Sequence, residues 1–161
     1  MKDLNSYIQE SILTKTSTKV SGFNPKYRDE VEMFIKQNYK TIRYVISEEP
    51  NEDGLYEVSA KGKVRVLNSK ITSLTNGMFT WTVVGSFVCA LCSKLTSLEG
   101  SPKEVRYMFN CSHCKNLESL KGISNKIGGD FKCYNCKGKF TKEDVPNTCK
   151  VKGGIYTTNN M

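Results

Sequence analysis

Six cysteines in this chain fall into three C-x-x-C pairs, Cys89/Cys92, Cys111/Cys114 and Cys133/Cys136, and a seventh is Cys149. Two such pairs separated by 18 residues match zinc-ribbon spacing, and four thiolates would hold a tetrahedral zinc. Cys89, Cys92, Cys111 and Cys114 are therefore the candidate metal ligands. The only histidine, His113, stands beside Cys114, the pairing a thiol–imidazole nucleophile would need.

Both chemistries weaken once the surrounding residues are read. Phe87, Phe109 and Phe131 recur 22 residues apart, as do Cys89, Cys111 and Cys133, and then Cys92, Cys114 and Cys136. Leu95/Leu117, Leu98/Leu120, Gly100/Gly122 and Val83/Val105/Ile127 keep the same step. A fixed period of this length marks a solenoid, whose units bury their apolar sides only against their neighbours. The repeat alone accounts for the cysteine spacing. In a degenerate first coil, Val64 and Val66 take the Phe and first-Cys positions, with Ile71 and Leu74 in the leucine positions. Valine binds no metal, so the expectation is a ladder of small, buried thiols with no cofactor. The repeat equivalents of His113 are Leu91 and Asn135, which makes it an exposed bend residue rather than a catalytic base. Gly128-Gly129 lacks the flanking residues of a phosphate loop, and Glu48, Glu49, Glu52 and Asp53 read as a turn. No enzyme motif remains.

Each unit reads F-x-C-x-x-C-x-x-L-x-x-L-x-G. The F-x-C pair has period 2, so both side chains face inward from a short strand. The second cysteine turns inward at the bend, where its thiol can bond backbone groups otherwise buried unpaired. This pattern resembles the leucine-rich solenoids over residues 64 to 149, most nearly the short Cys- and Gly-rich repeats (KNLESL, SLEGSPKEV, IGGDFKCYNC) of large tailed bacteriophages. The resemblance implies an α+β fold: a short right-handed leucine-rich-repeat-like solenoid with parallel strands, an N-terminal helix/β cap and a C-terminal cap.

The order of the chain supplies the caps. Residues 1–22 read as a leader or tether: Leu4, Tyr7, Ile8 and Ile12 have helical spacing, and a Ser/Thr/Lys-rich stretch follows. Met1, Lys2, Tyr7, Ile8 and Glu10 also resemble the leader that directs internal phage head proteins into the prohead. That resemblance implies cleavage after Glu10, with Ile8 in the recognition pattern. Residues 23–63 form an α+β cap. Pro25 is placed to start a helix with Val31, Phe34 and Ile35 on one face, and TIRYVIS and LYEVSA alternate as strands. Repeats fill 64–140, and 141–161 cap the far end with a short helix after Thr141 and an edge strand, VKGGIYT.

The formal charge is +8, from 24 Lys and Arg against 16 Asp and Glu, which favours an acidic partner. Hydrophobic residues make up 38%, enough for a core, and no run reaches the roughly 18 apolar residues of a membrane span. Without a secretory signal, free thiols in a reducing compartment are expected. The outward strand positions carry Met108, Asn110 and Ser112, then Asp130, Lys132 and Tyr134, and these with His113 are the candidate partner-binding residues. Met and Tyr among polar residues suit protein recognition. A nucleic-acid surface would show stacked aromatics interleaved with cations, and only Lys132 and Tyr134 offer that. The expectation is a non-enzymatic protein-binding module acting in a host cytoplasm, on a host or phage protein with an acidic surface. The phage resemblance implies storage in the virion interior and inhibition of a host defence factor. The alternatives are a zinc-containing nucleic-acid-binding module and a structural virion component.

Overall fold

The structure, a computed structural model, describes residues 28–40 and 43–158. The leader residues Ile8 and Glu10, the tether and Pro25 lie outside the described residues. Among the described residues, the chain forms a β-solenoid of about four turns behind one α-helix. Its strands, in chain order, are β1 (Tyr39–Lys40), β2 (Arg43–Ile46), β3 (Tyr56–Lys61), β4 (Val64–Val66), β5 (Phe79–Val84), β6 (Phe87–Val88), β7 (Glu104–Val105), β8 (Phe109–Asn110), β9 (Lys126–Ile127), β10 (Phe131–Lys132), β11 (Lys150–Val151) and β12 (Ile155–Tyr156).

Each coil contributes one strand to each of two sheets. The first sheet has the order β1-β4-β6-β8-β10-β12 and the second β11-β9-β7-β5-β3-β2. In the first, Phe87, Phe109 and Phe131 are directly paired in parallel register, and in the second Val83, Val105 and Ile127 are. The return limb therefore carries a second parallel sheet, beyond the single strand per coil that the sequence suggested. Leucines 95, 98, 117 and 120 fill the space between, each buried. Gly100 and Gly122 close the turn after them with φ of +82° and +84°, a left-handed conformation that glycine adopts without penalty. A Cβ on Gly122 would also come within 2.5 Å of the Glu99 backbone.

Both sheets end on an antiparallel strand at the N-terminal side, where β1 pairs β4 and β2 pairs β3. Helix α1 (Arg28–Asn38) carries Asp29 and Glu30 in its first turn, where they suit the helix dipole. It buries Val31 and Ile35 and packs half-buried Phe34 against the core. Tyr39, next in the chain, donates its hydroxyl to the Leu74 carbonyl and meets the Trp81 ring at 5.0 Å. Burial raises the Tyr39 phenol well above its ordinary pKa, so this donor keeps its proton. Trp81 donates to the Gly100 carbonyl at 2.9 Å and contacts Phe87 edge-on at 5.1 Å. The stack continues edge-on from Phe87 to Phe109 at 5.2 Å and to Phe131 at 5.7 Å, giving the solenoid an aromatic spine.

Two expected boundaries move. LYEVSA falls in the expected cap, but β3 pairs β5 in parallel over six residues and begins the parallel part of the second sheet. VKGGIYT is not the single expected edge strand: it divides between β11 and β12 and forms a last coil. There Ile155 continues the phenylalanine column, and Thr157, fully buried, continues the first-cysteine column. This coil is two residues longer than the repeat and has no cysteine, so periodicity did not reveal it. The expected short helix after Thr141 is a 3-10 turn, Lys142–Asp144, held by Thr141 N–H donating to the Asp144 carboxylate at 2.7 Å.

Candidate protein-docking face

The cysteine columns are core. Cys89, Cys92, Cys111, Cys114 and Cys133 are fully buried, and all seven thiols are free. The second cysteines of the second and third pairs reach back to the preceding coil: Cys114 donates to the Cys89 carbonyl at 3.1 Å, and Cys136 to the Cys111 carbonyl at 3.3 Å. Those carbonyls lie at the bend, where strand pairing has ended, so the thiols satisfy groups that would otherwise be buried alone. Burial pushes the thiols of Cys89 and Cys111 far up, and those of Cys133 and Cys136 to about 12 and about 11. Hydrogen bonding with Cys92 and burial raise Cys114. Burial thus disfavours the thiolate form of these groups. Among the described residues no three His, Cys, Asp or Glu side chains are grouped to hold a metal ion.

The two columns should respond differently to serine. Oxygen sits closer to Cβ than sulfur does, so each hydroxyl falls back from its carbonyl, and one at 114, starting from 3.1 Å, keeps more of its contact than one at 111. Cys111 contacts the Lys132 carbonyl at 3.5 Å, already long, and a hydroxyl there would fall short. Cys111→Ser is expected to lose roughly 1 to 3 kcal/mol more than Cys114→Ser. Urea denaturation midpoints of the two variants check this, and equal midpoints would contradict it.

At the bend between the cysteines, Leu91, His113 and Asn135 occupy one column, with φ of +65°, +60° and +55°. Ladder bonds stack them, Leu91 N–H to the Ser112 carbonyl and His113 N–H to the Tyr134 carbonyl. All three are exposed, as the repeat alignment of His113 indicated. Asparagine suits this left-handed conformation, whereas leucine is strained there by roughly 1 to 2 kcal/mol.

Of the seven sequence-derived candidates, the structure brings two into contact and sets a third against a residue of the last coil. His113 and Tyr134 meet edge-on at 5.2 Å, and Lys132 lies with its ammonium 5.3 Å from the Tyr156 ring. Met108 is half-buried on the same face. Asn110 and Asp130 serve the fold: the Asn110 side chain accepts from Ser112 N–H, and Asp130 accepts from Gly154 N–H, each at 2.9 Å. Ser112 was expected to point outward but is buried. Strand β8 ends at Asn110, so strand alternation no longer governs Ser112. Tyr156, Leu91 and Leu67 were missed, although all three are exposed large side chains on this face or its bend. The column shared with His113 could have found Leu91.

Charge is segregated around the coil. The limbs that carry the first sheet and its bend, 62–75, 85–98, 107–120, 129–142 and 153–158, hold nine Lys and Arg and two carboxylates, Glu118 and Asp130. Glu99 and Glu104 lie on the return limbs. There Glu99 pairs with Lys121 at 2.7 Å and Glu104 with Lys126 at 3.4 Å, while Glu118 pairs with Lys137. These pairs are exposed and add little stability. On the outer face of the second sheet, an open depression of about 310 Å³ is lined by Val45, Ser47, Glu57, Thr80 and Lys103, with no histidine or cysteine. No helix among the described residues is long and apolar enough to cross a membrane. The chain matches no protein-family model, no curated protein and no solved structure.

Proposed function

We propose that this chain is a non-enzymatic binding module that docks a protein partner with an acidic surface on the outer face of its first sheet and the adjoining bend. The observation that carries this reading is the segregation of charge. Nine cations share these limbs with two carboxylates, of which Asp130 is engaged by the Gly154 N–H and Glu118 by Lys137. Such a mostly positive face speeds encounter with an oppositely charged partner and rejects like-charged ones. The phage resemblance of the repeats, and of the leader around Ile8 and Glu10, supports a partner among host or phage proteins. On that reading the chain travels in the virion interior and neutralises a host defence factor in the host cytoplasm.

Charge reversal tests the face. Lys115→Glu combined with Lys132→Glu should abolish capture of partner protein from host lysate, while Lys150→Glu with Lys152→Glu, on the second-sheet side, should leave it intact. Equal capture by both double variants would refute the reading.

A second reading has one observation in its favour. The Lys132 ammonium lies 5.3 Å from the Tyr156 ring, an aromatic and a cation side by side as in surfaces that stack bases. Nucleic acid would then bind with an affinity that falls steeply with salt, each phosphate contact adding about 0.7 to 0.9 to the logarithmic slope.

A further inference from the structure

We infer that the bend ridge of Leu91, His113 and Tyr134, flanked by Leu67, is an anchor site for an acidic peptide segment that presents an apolar side chain. This inference rests on the first sheet being a docking face and adds which residues grip and what the partner offers them. Leu91 is 65% exposed and sits at φ +65°, so neither burial nor backbone comfort accounts for a leucine there. Asn135, two coils on, shows the residue type this bend accepts without strain. Strain at an exposed position, with no return in folding, is the pattern of a residue kept for contact. Leu67, 56% exposed, precedes the equivalent bend of the first coil, and His113 with Tyr134 extends the apolar strip in the other direction.

The surroundings set the partner's chemistry. Arg65, Lys94 and Lys115 lie on the limbs that flank the ridge, and all three are exposed. A purely apolar partner would leave these cations uncompensated at the rim, whereas flanking carboxylates would meet them. A nucleic acid would gain from Tyr134 but would set Leu67 and Leu91 against phosphates. An acid-flanked apolar anchor satisfies both features, so a protein segment is the occupant the ridge fits.

Selection of a random peptide library on the full chain tests this. The expected winners are acidic peptides with a central Leu, Phe or Met. The best of them, made synthetically, should bind Leu91→Asn at least about tenfold more weakly than the parent. It should bind Lys152→Gln unchanged. The melting temperature of Leu91→Asn should equal or exceed that of the parent, since asparagine suits the bend, which separates lost contact from lost structure. Acidic peptides that bind Leu91→Asn normally but fail on Lys132→Gln would overturn the ridge and leave the docking face standing. No enrichment of acidic sequences, or tighter binding of oligothymidylate than of any selected peptide, would overturn both.

Discussion

Phe109→Ala is expected to cost about 3–5 kcal/mol, among the largest losses any single side chain here can produce. Phe109 is fully buried and is held edge-on by Phe87 at 5.2 Å and Phe131 at 5.7 Å. Truncation removes its own burial, both ring contacts and the continuity of the spine. In a solenoid each coil touches only its neighbours, so a gap at the central coil uncouples the two halves. Rings on both sides are pinned by their own strands, which limits collapse into the cavity. Denaturant titration should show the loss as a lower midpoint, with a broader or divided transition. A loss below about 1 kcal/mol would mean that the spine carries little of the stability.

Gly85→Ala should be as severe for a different reason. A Cβ at this position would lie 1.7 Å from the Gly62 carbonyl oxygen, against an optimum of about 3.5–4.0 Å. The obstacle is backbone, so relief requires the first two coils to separate by more than an ångström. That movement stretches Gly62 N–H to the Val84 carbonyl, now 3.0 Å, and Val64 N–H to the Ser86 carbonyl, now 2.8 Å. About 3 kcal/mol or more is expected to be lost. Gly154→Ala is the comparison: the new Cβ would meet the Tyr156 ring at 2.7 Å, and that exposed ring can turn aside. Its cost should stay near 1 kcal/mol or below. Thermal melts of the two variants give the contrast directly, and similar melting temperatures would show that the coils can slide apart cheaply.

The inward columns were legible in the sequence because a buried position in a stacked coil is constrained from both sides. Phe87, Phe109 and Phe131, and the paired cysteines, recur at one step and turn out to be buried and in register. The bend at Leu91, His113 and Asn135 was legible for the opposite reason: three unlike residues at one repeat position cannot share a core. The second sheet was not legible. Strands β7, β9 and β11 are two residues long and each sends one apolar residue inward, too few to show an alternation. The last coil escaped because two extra residues shift it off the period, and Tyr156 of the docking face escaped with it. Ser112 was misplaced because alternation was carried past the end of β8. Burial leaves its hydroxyl without a hydrogen-bond partner. The docking face was found only in part, since which outward residues are engaged by the fold depends on distances. Asp130 and Asn110 look available in the sequence and are both occupied in the structure.

The solenoid core is built on the cysteine columns, with the Cys114 and Cys136 thiols donating to carbonyls of neighbouring coils rather than serving a metal centre. Elemental analysis of the purified protein, paired with denaturation in the presence and absence of a strong chelator, tests this most directly. The expected result is no stoichiometric zinc and one unchanged midpoint, because the Cys114 and Cys136 thiols are already committed to backbone carbonyls. About one zinc per chain, released by chelator with loss of the folded state, would contradict it.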